Sequence, residues 1–191
     1  QGDFALHVKA LARCASEAGR VEVVEVRKPG ELAGLDGLIV PGGESTTLLR
    51  LMEDWEFVPA LEKFHAEGRP LFGTCAGAIL MAREVENPRQ FSLGLIDIGI
   101  ERNAYGRQRE SFEASGQAVL DGHPVPIQMV FIRAPRIRST GPGVQTLARH
   151  GGDPVLVQQG SVVVGTFHPE LTDQTTVHQY FCDLVARSRG R

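Results

Sequence analysis

"PLFGTCAGAIL", residues 70–80, changes character at its middle. Pro70-Leu71-Phe72 reads as a short buried strand, Gly73 interrupts it, and an apolar, helix-forming run opens at Ala76 and is expected to continue to residue 85. A strand that feeds directly into a helix is the repeating unit of α/β folds. A single thiol, Cys75, stands at the corner among small residues. The segment therefore raises two questions: which sheet the strand belongs to, and why a cysteine sits at its end.

Working outward, the same alternation recurs. "GLIVPGG", 37–43, is a short apolar strand ending in a glycine turn. "STTLLRLMEDW", 45–55, starts with hydroxyl residues suited to a helix N-terminus and turns apolar at helical spacing. A further helical run begins near Pro59 and stops toward Gly68. Upstream, residues 3–18 read as a helix with Phe4, Val8, Leu11 and Ala15 on one face and Gly19 as its stop, followed by the β-rich "VEVVEVR", 21–27. Beyond residue 90 the pattern changes. "LIDIGIERN", "SFEASGQAVL", "IQMVFIR", "VQTLARH", "PVLVQQG" and "SVVVGTFHP" are β-type runs separated by turns, which suggests mixed or antiparallel strands attached to the α/β core. A last helix covers about 174–188. The alternation argues a parallel sheet with helices on both faces, with the later strands mixed or antiparallel.

The chain has 191 residues, enough for one domain, and no linker or repeat divides it; a single domain over 1–191 is expected. A right-handed α/β sheet normally opens with a strand before its first helix. None precedes Gln1, so a first strand is expected to be missing before residue 1. Hydrophobic residues make up 42% and charged residues 23%, the mix of a soluble globular protein. Net charge is −3 and no Lys/Arg block exists, which argues against nucleic acid as a partner. No apolar run approaches the ~18 residues of a membrane span, and no signal peptide is visible. The three cysteines, Cys14, Cys75 and Cys182, show neither CxxC spacing nor a disulfide framework, which favours a reducing cytoplasm. Cys14 and Cys182 fall in helical patterns and read as small buried hydrophobes.

Cys75 is different because of its corner. A nucleophile on a tight strand-to-helix turn is presented clear of the sheet with helix N-terminal amides beside it. Those amides favour a thiolate and can receive an oxyanion. The plainer reading is a small residue filling a tight turn. A nucleophilic cysteine also needs a base, and the base needs an orienting group. Of six histidines, His7 and His65 read as surface positions on helices, His123 and His150 as turn residues, and His178 as part of the last helix. "VVVGTFHPEL" sets His168 at the end of an apolar strand with Glu170 two residues on. If extended backbone continues through Pro169, both side chains share a face. A capped loop is the alternative. In "PGGESTT", 41–47, the Gly-Gly turn can offer main-chain N–H groups to an anion, either a phosphate or an oxyanion, and Glu44-Ser45 can serve simply as a helix cap. The P-loop lysine is absent, and no Cys/His cluster has metal spacing.

Taken together, the Gly-Gly turn, the G-x-C-x-G elbow and the late H-x-E resemble the class I, triad-type glutamine amidotransferases. "QGDF", "PGGESTT", "GTCAGAI", "ERNAYGRQRESF", "FIRAP" and "TFHPELT" resemble, more narrowly, the glutaminase subunits of pyridoxal 5′-phosphate synthases, over nearly the whole chain. The resemblance implies a three-layer α/β/α sandwich with a mixed, mostly parallel sheet and a flavodoxin-like core, and hydrolysis of L-glutamine to glutamate and ammonia without a cofactor. It also implies delivery of the ammonia to a (β/α)8 synthase subunit in a large hetero-oligomer that makes pyridoxal 5′-phosphate from ribose 5-phosphate and glyceraldehyde 3-phosphate. By resemblance Cys75 is the nucleophile, His168 the base and Glu170 its orienting partner. Gly43 and Ala76 supply oxyanion-hole amides. Gly42, Gly43 and Glu44 contact glutamine, with Arg102 and the Ile132-Arg133 segment closing the pocket. Two departures stand out: the strand that usually precedes "QG", and Leu6-His7 where the family tends to have Glu-His. Both lie near the face that meets the synthase in the family. Rival readings are the glutaminase of another amidotransferase, such as imidazole glycerol phosphate synthase, and a non-catalytic binding module with Cys75 as a redox sensor.

Overall fold

Leu71 and Phe72 are both fully buried, yet they pack into different clusters, one on each side of the same strand. Val162, Val163 and Val164 divide in the same way. Successive side chains of a strand point to opposite faces, so a strand apolar at every position must lie in a sheet covered on both sides. The computed structural model describes residues 4–16, 19–103 and 111–189. In chain order it contains α1 (Phe4–Ala12), β1 (Ala15–Ser16), β2 (Gly19–Arg20), β3 (Leu38–Val40), α2 (Ser45–Asp54), α3 (Phe57–Ala66), β4 (Leu71–Thr74), α4 (Ala76–Met81), β5 (Ala82–Glu86), β6 (Ile96–Glu101), β7 (Ser111–Leu120), β8 (His123–Ile132), β9 (Arg136–Thr140), β10 (Gln145–His150), β11 (Asp153–Gln159), β12 (Val162–Gly165) and α5 (Thr176–Ser188).

The main sheet has the order β3-β4-β12-β11-β10-β7-β8, and a smaller one has the order β5-β6-β9. On one face of the main sheet lie α2, α3, α4 and the small sheet, through Leu48, Leu61, Leu80 and Ile98. On the other lies α5, through Val177 and Phe181, packed on Phe72, Val163 and Met129. This is the expected three-layer α/β arrangement with a mixed sheet. The balance within the sheet differs from the expectation of mostly parallel strands. Within the main sheet β3–β4 and β4–β12 run parallel, and the pairings from β12 outward to β8 are antiparallel. The reason is local. β7–β8, β10–β11 and β11–β12 are joined by two-residue turns carrying positive φ at Asp121-Gly122, Gly151-Gly152 and Gly160. Such turns permit only antiparallel neighbours.

Helix α1 ends at Ala12, short of the expected residue 18. Its buried positions are His7 and Ala10, with Cys14 just beyond. The stripe of Phe4, Val8 and Leu11 instead faces a cleft of about 780 Å³ that runs between residues 21–27 and β3. Phe4 is accordingly 43% exposed. Residues 21–27, expected as β-rich, belong to no described strand ladder. The sequence reading missed β9, "RIRST", whose single buried side chain, Ile137, gives no period to detect.

Candidate active site

β4 and β12 are adjacent and parallel, so their carboxyl ends lie side by side. This brings residues 75 and 168 together although they are far apart in sequence. The ladder continues one step past β4, where the Cys75 N–H donates to the Gly165 carbonyl over 2.9 Å. The chain then turns sharply, and Cys75 has φ 47° and ψ −101°. A non-glycine residue held there stores about 1–3 kcal/mol of strain. Two glycines make the corner possible. A Cβ on Gly77 would stand 2.1 Å from the Val40 carbonyl oxygen, and one on Gly73 would stand 2.8 Å from the Gly77 backbone. The helix after the corner is shorter than expected, ending at Met81 rather than residue 85, because the chain enters β5 at Ala82 to join the small sheet. The Cys75 side chain is buried, with Sγ 3.9 Å from the Ile132 carbonyl oxygen.

His168 follows β12 by three residues, and its N–H donates to the Val130 carbonyl of β8 over 2.8 Å. Its Nδ1 lies 2.7 Å from Glu170 Oε1. The route to that contact differs from the expected one. The backbone does not stay extended: Pro169–Leu171 form a 3₁₀ turn that folds Glu170 back under the imidazole. Both side chains are buried. Burial disfavours the imidazolium, but hydrogen bonds and charge from Cys75 and Glu170 outweigh it and raise the His168 pKa to about 10. Thiol, imidazole and carboxylate thus make one interacting line, in which the carboxylate holds the imidazole at Nδ1 and both the thiol and the carboxylate favour its charged form.

Gly42 backs directly onto this line. A Cβ there would stand 2.4 Å from His168 Cε1 and 3.4 Å from Cys75 Cβ. Gly43 is exposed and has φ 145°, a conformation that side chains rarely adopt. Ala76 is buried at the first position of α4, where a helix leaves its N–H without an intrahelical partner. Glu44 is committed as the N-cap of α2. Its carboxylate accepts the N–H groups of Thr46 at 3.2 Å and Thr47 at 2.8 Å, and both hydroxyls. The Thr46 hydroxyl above all, joined by the Thr47 groups and the Thr46 N–H, holds its pKa down at about 2 against the opposing effect of burial. The cap reading of Glu44 is therefore correct for its side chain. Arg102 Nη2 approaches that carboxylate at 3.5 Å, and the Arg102 side chain is only 12% exposed. Ile132 and Arg133 stand exposed at the end of β8 beside Cys75, with Arg133 at φ 43°. The "AYGRQRE" stretch lies outside the described residues.

The sequence reading missed the groups behind the carboxylate. His7, expected at a surface, is 3% exposed, and His178 is fully buried. His7 Nδ1 is 2.9 Å from His178 Nε2, and His7 Nε2 is 3.2 Å from Thr74 Oγ1 and 3.4 Å from Glu170 Oε2. Burial first, then repulsion from His178 and His168, lowers the His7 pKa to about 3, and burial lowers that of His178 to about 4. Both are neutral imidazoles at physiological pH, so the contact with Glu170 is not an ion pair. The signal available in the sequence was the i, i+3, i+7 stripe of His7, Ala10 and Cys14, compact enough for close helix packing.

The sequence model of the SNO glutamine amidotransferase family matches residues 1–187. A pyridoxal 5′-phosphate synthase subunit PdxT from Koribacter versatilis is 50% identical, over 97% of this chain and 92% of the relative. One of the same name from Thermotoga maritima is 46% identical, over 97% of this chain and 95% of the relative. A crystal structure described as a glutamine amidotransferase superposes with a TM-score of 0.85 at 46% identity, over 97% of this chain and 95% of the other. The glutaminase domain of a Trypanosoma brucei CTPS, solved with bound acivicin, shares the fold, with a TM-score of 0.62 at 13% identity, over 98% of this chain and 87% of the other. The chain belongs to the SNO glutamine amidotransferase family.

Proposed function

We propose that this chain hydrolyses L-glutamine to glutamate and ammonia through a Cys75 thioester and hands the ammonia to the synthase subunit that makes pyridoxal 5′-phosphate. The observation that carries the reading is the buried line of Cys75, His168 and Glu170 at the ends of two adjacent parallel strands. The names of the relatives favour the pyridoxal 5′-phosphate pathway over other amidotransferases.

The raised His168 pKa favours an imidazolium beside a thiolate. The thiolate attacks the side-chain amide carbon, a C–S bond forms, and the carbonyl π electrons move to oxygen. N–H groups of Gly43 and Ala76 are the candidate donors to that oxyanion, and one such donor is worth about 2.7–4 kcal/mol. As the tetrahedral species collapses, the C–N bond breaks and His168 gives its proton to the departing nitrogen. Water then attacks the thioester, His168 takes the proton, and the thiolate leaves. Glu170 holds the imidazole in the tautomer with Nε2 toward the thiol. Arg102, beside the Glu44 cap, is the candidate partner for the glutamine α-carboxylate, with Gly42, Ile132 and Arg133 as further walls.

The test is ammonia release from glutamine by the full-length chain with saturating synthase, beside Cys75→Ala under the same conditions. The wild-type chain is expected to turn over and the variant to be inactive while binding the synthase normally. Ammonia release by Cys75→Ala at the wild-type rate would overturn the covalent mechanism.

A further inference from the structure

We infer that His7 is a positioning residue that ties the turn bearing the nucleophile to the carboxylate that orients the base, an inference that rests on the triad reading above. His7 Nε2 faces two partners from different catalytic segments. One is Thr74 Oγ1 at 3.2 Å, on the residue immediately before Cys75. The other is Glu170 Oε2 at 3.4 Å, on the residue that holds His168. Thr74 is fully buried, and Glu170 Oε2 is a buried oxygen with no hydrogen bond of standard geometry among the described residues. A carboxylate oxygen accepts only. His7 Nε2 is the donor placed to serve it.

The tautomers follow from the same accounting. If Nε2 carries the proton of neutral His7, Nδ1 is an acceptor, and the 2.9 Å contact requires His178 Nε2 to donate. His178 Nδ1 is then a bare lone pair, in agreement with its lack of any hydrogen-bond partner among the described residues. On these tautomers donation runs from His178 to His7 and from His7 to the Thr74 oxygen, with Glu170 Oε2 facing the same N–H at 3.4 Å, and separately from His168 Nδ1 to the other Glu170 oxygen. His7 sits on α1, which packs against the 3₁₀ turn that carries Glu170. The helix thus acts as a brace across the ends of β4 and β12.

The titratable groups facing His168 are Cys75 and Glu170, with His7 behind the carboxylate and His178 behind His7. Loosening Glu170 removes support for the imidazolium, so deprotonation of His168 moves to lower pH. Two readouts test this in the full chain with its synthase: steady-state glutamine hydrolysis, and the pH dependence of Cys75 alkylation by iodoacetamide, followed on the Cys75 peptide by mass spectrometry. His7→Phe keeps bulk without a donor. It is expected to lower kcat roughly tenfold, the scale of about one hydrogen bond, with KM little changed. The upper inflection of the alkylation profile should shift to lower pH. His7→Gln places an amide N–H near the position of Nε2 and is expected to restore both. An unchanged kcat and profile in His7→Phe, or equal losses in Phe and Gln variants of equal thermal stability, would overturn the proposal. If His7→Phe does not fold, His178→Phe takes away the proton donated to His7 Nδ1; a shifted inflection and lower kcat support the brace, and an unchanged profile refutes it. An active Cys75→Ala chain would instead remove the triad reading itself.

Discussion

Across Cys75 the molecule has two unlike walls. Behind the thiol, His168, Glu170, His7 and Thr74 are buried and come from four different places: the segment after β12, pinned by the β8 backbone, then the 3₁₀ turn, α1 and β4. In front of it, Gly43, Glu44, Ile132 and Arg133 are exposed, and the Glu44 carboxylate is occupied by the α2 cap. The difference separates two demands. Proton transfer requires fixed geometry, which core packing supplies; admitting and releasing glutamine requires an opening. Substitutions behind the thiol should therefore act on kcat, and substitutions in front on KM.

The largest effect is expected from the back wall itself. On the proposed mechanism His168→Asn removes the group that exchanges protons, and general acid–base catalysis is worth about 10²–10⁴-fold. Glu170→Gln leaves the base in place and should be milder. Single-turnover measurement of ammonia release checks the order, and a Glu170→Gln chain slower than His168→Asn would reverse these two roles.

Gly42→Ala sharpens the comparison because it pushes from the buried start of the Gly-Gly turn onto the back wall. The added methyl would meet His168 Cε1 at 2.4 Å and Nδ1 at 3.1 Å. Relief requires the imidazole to move, and a misplacement of about 1 Å can cost 10²-fold. The expected outcome is a kcat loss on that scale with a smaller change in KM. A loss confined to KM would place Gly42 wholly on the substrate side.

The two walls also differ in how far the sequence discloses them. Cys75 between Gly73 and Gly77, and His168 two residues before Glu170, are local patterns, so a strand-to-corner reading finds them without knowledge of packing. Their meeting also needed β4 and β12 to be parallel neighbours, which neither segment states. His7 required knowing which stripe of α1 is buried. Its apolar stripe of Phe4, Val8 and Leu11 pointed the wrong way, since that stripe lines the cleft beside residues 21–27. The antiparallel half of the sheet was partly legible from its Gly-containing turns. β9 was not, because its pairing with β6 is set by tertiary contact and three of its five residues are exposed.

The smallest effects are expected at the two arginines, and they should differ from each other. Arg102 is largely buried and lies 3.5 Å from a carboxylate that is already the cap of α2, so its guanidinium has donors left for a second anion. Hydrogen bonds to charged groups contribute about 1.5–3 kcal/mol, and Arg102→Ala is accordingly expected to raise KM roughly tenfold or more while kcat stays nearer wild type. Arg133 is exposed and held at φ 43°, a conformation costing an L residue roughly 1–2 kcal/mol that glycine does not incur. If the turn after β8 matters mainly as backbone, presenting the Ile132 carbonyl to Cys75, then Arg133→Gly should keep both kinetic constants near wild type and hold or raise thermal stability. If the guanidinium binds glutamine, KM should rise as it does for Arg102→Ala. Steady-state kinetics of the two variants with saturating synthase, beside thermal melts of each, decide between a front wall with one charged contact and a front wall with two.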